Sequence, residues 1–403
     1  MEIQQKFAEP SAAYLKKLHE EIDYQSHNTM VEETMKAFSR GKAARVPMTL
    51  GVNPRILLLD ANYNKRNITF EEYFSDPRLM FEVVCEFSRF SNMYLPFFHK
   101  MGEEATLSVY PDFQNFAESM WLGAEIDFAN GDVPSVKPLL NEENKNLLFD
   151  RGIPDPISGI MKRNVDYYEK FNEWAKTDTL QGCRVGEVYP SGMYTDGPFT
   201  LACELMGTTQ FCCQIYEDEE FVRQMLDFLT TATIARIKKL RQVFGMPMRS
   251  ESIFFADDSI ALLSCDTYKD LVLPYHKRYC SELLAEGGTV SVHLCGDATR
   301  HFKTMQDALN VTVFDTGFPV KHGELCASLR KGTIVQGGPS VPFLELNDIP
   351  AIEAEVKRIL DEVRPVSNTF LLREGNNVPP GMPLEKLLAM YSATVKYGVR
   401  DSE

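Results

Sequence analysis

At 403 residues, 44% hydrophobic and 25% charged, the chain has an ordinary globular composition and is long enough for one large domain with insertions or for two. A formal net charge of −15 argues against non-specific binding to nucleic acid or anionic lipid, since both need a basic surface. No apolar run approaches the roughly 20 residues of a membrane helix, the N-terminus has no apolar signal core, and the nine cysteines are scattered. The expectation is therefore a cytoplasmic protein with reduced thiols and neither a membrane nor a nucleic-acid partner.

Residues 9–41 predict an amphipathic helical segment, with charged residues between Leu15, Leu18, Ile22, Met30, Met35 and Phe38. It precedes the first strand signal and reads as a cover or an oligomer contact, so residues 1–44 are taken as an N-terminal helical extension. The run from Val46 to Val52 is the first apolar strand and ends at Asn53-Pro54-Arg55. Helix is expected over 68–92, entered through a Thr69/Glu72 capping box, with Pro77 as a possible break. A second strand over 105–110 leads to Asp112, and a helix follows over 113–122. Asn130-Gly131-Asp132 and the prolines at 134, 138, 154 and 156 mark an insertion over about 124–180, closed by a helix over 161–178.

A third strand covers 184–189, and helices follow over 198–208, opened by Pro198, and over 217–244. The fourth strand, 252–256, ends at Asp257-Asp258. A helix over 266–286 leads to the fifth, 289–295, and the remaining strands fall at 311–314, 333–335 and 369–372. Helices over 349–363 and 384–397 complete the pattern. Eight short apolar strands alternating with helices predict an α/β fold, a (β/α)₈ TIM barrel over residues 45–403. An open doubly wound sheet would be expected to carry a glycine fingerprint after the first strand, and none is present.

Nearly every predicted strand finishes in polar or ionisable residues, and in a barrel such ends converge on one mouth. Candidate substrate-binding residues are Asn53, Arg55, Tyr194, Asp196, Asp315, Gln336, Arg373 and Asn376, and candidate catalytic groups are Asp112, Asp257, Asp258 and Glu374. Asp and Gly after a strand are also ordinary turn and cap chemistry. The densest stretch is His293-Leu294-Cys295-Gly296-Asp297. Side chains two apart on a strand share a face, so His293 and Cys295 together make half of a zinc site. Asp257, Asp258, Glu374 and Cys326 are the candidates for a further ligand, although Cys326 suits a buried helix position better. His301 and His322 are expected on an outer helix or loop surface, His276 in a structural role, and Cys212-Cys213 in the core.

Taken together these segments resemble the uroporphyrinogen decarboxylase superfamily, from about residue 45 onward. The resemblance rests on Asp196-Gly197-Pro198-Phe199-Thr200-Leu201-Ala202, Asp257-Asp258, Leu273-Pro274-Tyr275, His293-Leu294-Cys295-Gly296-Asp297, Gln336-Gly337-Gly338 and Pro379-Pro380-Gly381-Met382-Pro383. It implies a (β/α)₈ barrel and two functional branches. The haem-pathway decarboxylase branch uses an early arginine-rich segment; here Gly51-Val52-Asn53-Pro54-Arg55 offers one arginine. Its early Asp matches Asp112, while its active-site Tyr and late His fall near Glu204 and Asn376. The second branch, cobalamin-dependent methyltransferases, binds zinc with H-x-C and a distant Cys. His293 and Cys295 match, but the distant position falls near Gly375-Asn376, so a carboxylate such as Glu374 or Asp257 would have to replace the sulfur.

The resemblance therefore implies a methyltransferase moving a methyl group between a small methylated substrate or a thiol or folate acceptor and a corrinoid, with zinc assistance. A corrinoid protein would be the partner and a homodimer the assembly. The alternatives are a metal-free carboxy-lyase on a small acid, using Asp112, Arg55 and Arg373, and a non-catalytic corrinoid-binding subunit.

Overall fold

A computed structural model describes residues 1–102, 105–128 and 132–400; Asn130 and Gly131 of the insertion lie outside them. The chain forms two compact units, each assembled from separated segments. The first comprises Met1–Tyr110, Phe171–Tyr189 and Asp315–Glu403, the second Pro111–Lys170 and Pro190–Phe314. No described helix is long and apolar enough to cross a membrane.

In the first unit the helical N-terminus divides into Ala12–Glu21 and Tyr24–Phe38, because Asp23 takes an extended backbone and caps the second helix. Further upstream, the Glu86 carboxylate accepts the backbone N–H groups of Lys6 (2.8 Å) and Phe7 (2.9 Å), which ties the first residues to the helix Pro77–Tyr94. The helix expected over 68–92 is split at Pro77: Phe70–Ser75 carries the Thr69/Glu72 capping box, and Asp76 caps Pro77–Tyr94.

The first predicted strand is extended but makes no regular ladder. Its Met48 bridges Leu372 in parallel, Thr49 N–H donates to the Leu372 carbonyl (2.8 Å), and Leu372 N–H donates to that of Pro47 (2.9 Å). Pro47 has no N–H to extend the pairing. The first apolar segment thus lies beside the last strand, Phe370–Leu372, which pairs in parallel with Ile334–Gly337. Leu107–Val109 pairs in parallel with Cys183–Val188.

In the second unit the strand Ser250–Ala256 pairs in parallel with Leu284–Leu294, matching Phe255 to Val292 and Ala256 to His293. Sequence periodicity extends helix to 286, but the helix ends at Leu283 and strand begins at Leu284. The register shifts between Ser250 and Ser252, and Gly287, at φ 76°, accommodates the extra residues of this bulge. Within the insertion, Ile126–Asp127 and Ser135–Val136 form an antiparallel pair ahead of the helices Leu147–Arg151 and Gly159–Ala175. The long helix Glu219–Val243 starts at an Asp218 cap.

Candidate metal centre

Strand register builds the site. Ala256 lies opposite His293, so the residues just past each strand end run abreast. Asp258 opens a short 3₁₀ turn, Asp258–Leu262, and its Oδ1 accepts the Cys295 N–H at 2.7 Å. His293 Nε2 stands 3.9 Å from the same oxygen. One ligand atom from each of Asp258, His293 and Cys295 lies within 4.8 Å of the others. Tetrahedral ligands around zinc sit about 3.3–3.8 Å apart, so small side-chain adjustments would close the triad on one ion. Burial and the Asp258 carboxylate push the Cys295 thiol well up, a state that a cation among these three groups reverses.

Asp257 faces the other way. It is fully buried, and its oxygens accept Thr200 N–H (2.7 Å), Thr200 Oγ1 (2.8 Å), Phe199 N–H (3.3 Å) and His276 Nε2 (2.8 Å). Its carboxylate is committed to the start of the helix Pro198–Met206.

Next to the triad lies a second group of carboxyls. Desolvation pushes Asp196 well above the usual carboxylate range, and the charges of Glu204, Glu118 and Asp258 push it further, although one edge of Asp196 remains accessible. Burial raises Glu204 to about 7 against the lowering effect of the Ser119 hydroxyl, which donates to it at 2.7 Å. The loop bearing Asp196 hangs on a buried ion pair. Arg236 Nη2 meets Glu118 at 2.8 Å and the Tyr194 carbonyl at 2.8 Å, and the Thr195 and Thr233 hydroxyls also donate to Glu118. Tyr194 OH donates to the Gln114 carbonyl (2.6 Å), and both Gln114 N–H and its side-chain amide donate to buried Asp112.

The remaining candidates belong to the first unit. Arg373 meets Asp315 at 2.5 Å and donates to the Asn376 carbonyl at 2.6 Å and Asn377 Oδ1 at 3.3 Å. Glu374 is buried, accepts Gly51 N–H (2.7 Å) through Oε1, and is raised to about 7 by desolvation; Oε2 has no hydrogen-bond partner among the described residues. Asn53 accepts Arg55 N–H (3.0 Å) at the start of the turn Arg55–Leu58, and the Gln336 carbonyl accepts the Thr316 hydroxyl (2.9 Å).

Several expectations need correction. His301 and His322 are buried, not on an outer surface, because their helices turn these positions inward beside Tyr268 (4.9 Å) and Phe370 (5.6 Å) respectively. Cys212 is half-buried and Cys213 exposed rather than both in the core; the free thiol of Cys212 is hydrogen-bonded to that of Cys203 on the preceding helix. Sequence reasoning did not single out Glu118, Arg236 or the Asp257–His276 pair. Arg236 had one usable signal: it falls on the inward stripe of Val222, Met225, Leu226, Leu229, Thr233, Ile237 and Leu240.

A parallel α/β chain with nitrogen, sulfur and oxygen donors gathered at adjacent strand ends belongs to the class of barrels that place chemistry at their strand C-termini. The uroporphyrinogen decarboxylase (URO-D) model matches residues 29–397, and the chain belongs to this family. It is similar to the methylated-thiol–coenzyme M methyltransferase of Methanosarcina mazei, 24% identical over 218 residues, or 51% of this chain and 52% of that protein. The chain thus spans about half the length of that curated relative. A solved methyltransferase from Methanosarcina mazei is 18% identical, with a TM-score of 0.62 over 91% of this chain and 98% of the other. This likeness shows the fold, the family's (β/α) barrel.

Proposed function

We propose that this chain is a metal-assisted methyltransferase of the URO-D family, in which Asp258, His293 and Cys295 hold a divalent ion, zinc by the character of the donors. One observation carries the reading: the three donor atoms converge within 4.8 Å at the ends of paired parallel strands. The names of the similar proteins support the group transferred. Asp258, His293 and Cys295 would hold the ion, which would supply Lewis acidity to the heteroatom that carries or receives the methyl group.

The chain's own residues then do the rest. Asp258 accepts Cys295 N–H and so holds the thiol-bearing backbone against the turn. Asp196 and Glu204, both shifted towards their protonated forms, offer hydrogen-bond donation to a hydroxyl, ether or amine. Acidic surroundings suit a neutral or cationic methylated donor better than a carboxylated one. A corrinoid, presented by a partner protein, is the proposed second methyl carrier. The carboxy-lyase alternative would use Arg373 as an anion clamp, but that guanidinium already serves Asp315 and the Asn376 carbonyl.

Metal analysis of the purified protein, with methyl exchange between methylcobalamin or cob(I)alamin and thiol, methoxyl and methylamine compounds, tests the proposal. The expected outcome is about one ion per chain and exchange with at least one donor class. Cys295→Ser is expected to weaken metal binding by about 10-fold or more, because a hydroxyl replaces the thiolate. Absence of metal together with no exchange across all three classes would overturn it.

A further inference from the structure

We propose that His276 is a positioning residue for the Asp258–His293–Cys295 centre, acting through Asp257; the inference rests on the metal-site reading above. Residues 257–259 form the turn that presents Asp258. Both flanks of that turn are tied to one side chain, since the Thr200 hydroxyl donates to Asp257 Oδ1 (2.8 Å) and accepts Ser259 N–H (2.9 Å). Asp258 is thereby suspended between two anchored neighbours, and its direction towards Cys295 depends on where Asp257 sits.

Asp257 is in turn held from two sides. The helix beginning at Pro198 directs the Phe199 and Thr200 N–H groups at it. This approach needs Gly197, at φ 80°: a Cβ there would stand 2.4 Å from the Ala256 carbonyl oxygen and 2.5 Å from Asp257. From the opposite side comes His276, buried, with Nε2 at 2.8 Å. The other ring nitrogen, Nδ1, meets the buried Tyr268 hydroxyl at 3.1 Å. Both ring nitrogens therefore have a hydrogen-bond partner, Asp257 on one side and Tyr268 on the other, and the orientation of the ring is set.

The backbone before His276 is built for this contact. In a regular helix, residues seven apart align to within about 20°, whereas residues eight apart, as Tyr268 and His276 are, diverge by about 80°. The π-turn Tyr268–Val272 absorbs the extra residue just ahead of the helix Leu273–Leu283 and brings both side chains to one side. The ring of Phe255, on the strand that leads to Asp257, packs against the imidazole with centroids 4.8 Å apart and the planes tilted by 49°. Tyr268, His276, Asp257 and Asp258 thus form one connected path from a helix to the proposed ligand.

Cobalt(II) titration of the chelator-stripped full chain reads the effect, with the thiolate-to-metal absorption band reporting Cys295. His276→Gln keeps an N–H donor near the Nε2 position and is expected to bind within about threefold of wild type. His276→Leu removes the donor and is expected to weaken binding by about 10- to 100-fold, as losses of outer hydrogen-bond partners do, and to alter the band while the chain still melts cooperatively. A folded His276→Leu protein with wild-type affinity and band would overturn the inference. If that variant does not fold, Thr200→Val, which removes only the hydroxyl joining Asp257 to Ser259, decides: about 10-fold weaker binding supports it and unchanged binding overturns it. A wild-type chain that shows no thiolate band would instead remove the metal reading, and this inference with it.

Discussion

Two adjacent aspartates in one turn of this chain have different surroundings. Asp258 keeps an exposed edge beside a thiol and an imidazole, while Asp257 is sealed among four donors. A buried carboxyl without partners is costly, and Asp257 is given that full set of hydrogen bonds. The same logic governs Glu118 and Arg236, a buried pair at 2.8 Å that anchors the Tyr194–Asp196 loop. Removing one partner strands the other. Arg236→Met is expected to cost about 3–5 kcal/mol of stability, measured by urea unfolding, and the conjoint loss of Glu118's charge in Glu118→Gln/Arg236→Met should recover part of it.

At the level of elements, the parallel register of Ser250–Ala256 with Leu284–Leu294 brings Asp258 to Cys295, and a slip by one residue would turn His293 and Cys295 to the other face. The strand end and the helix Pro198–Met206 meet at Gly197. Gly197→Ala is expected to lower the melting temperature by several degrees, both from the positive φ and from the clash with backbone, and to weaken metal binding along with it. Helices Pro198–Met206 and Thr208–Glu217 also pair two thiols. A hydrogen bond from one thiol to the other lowers Cys212 and raises Cys203. Iodoacetamide should therefore modify Cys212 with a pH midpoint below that of an ordinary thiol, and Cys203→Ala should move that midpoint upward, as mass spectrometry of the labelled peptide would read.

Over the whole molecule, buried titratable groups oppose one another across one pH range. Burial lowers His99 and His322 to about 4, so their unfolded forms take up protons first and stability falls as pH drops from about 6.5 to about 4. Glu204 and Glu374, raised to about 7, hold protons in the folded state that they release when unfolded; their contribution falls as pH rises from about 4.5 to about 7. The two trends flatten the wild-type profile. Glu374→Gln should make stability climb more steeply with pH over that range, and His322→Phe should tilt it the other way, by roughly 3 kcal/mol from end to end. Thermal melts at intervals from pH 4 to 7.5 would check both signs.

Much of this molecule was legible in chain order. Apolar runs separated by helical periodicity marked the strands, the Thr69/Glu72 box and Pro77 marked helix starts, and the alternation of His293 with Cys295 followed from strand geometry. These are local properties, decided by residues within a few positions of each other. The choice between Asp257 and Asp258 was not legible, because neighbouring residues with the same side chain differ only in what the fold places against them. Nor could periodicity foresee the first strand's reduction to one bridge beside Leu372, the inward turn of His301 and His322, or the path from Tyr268 through His276. Those depend on register and packing between segments far apart in the chain, which only the tertiary structure supplies.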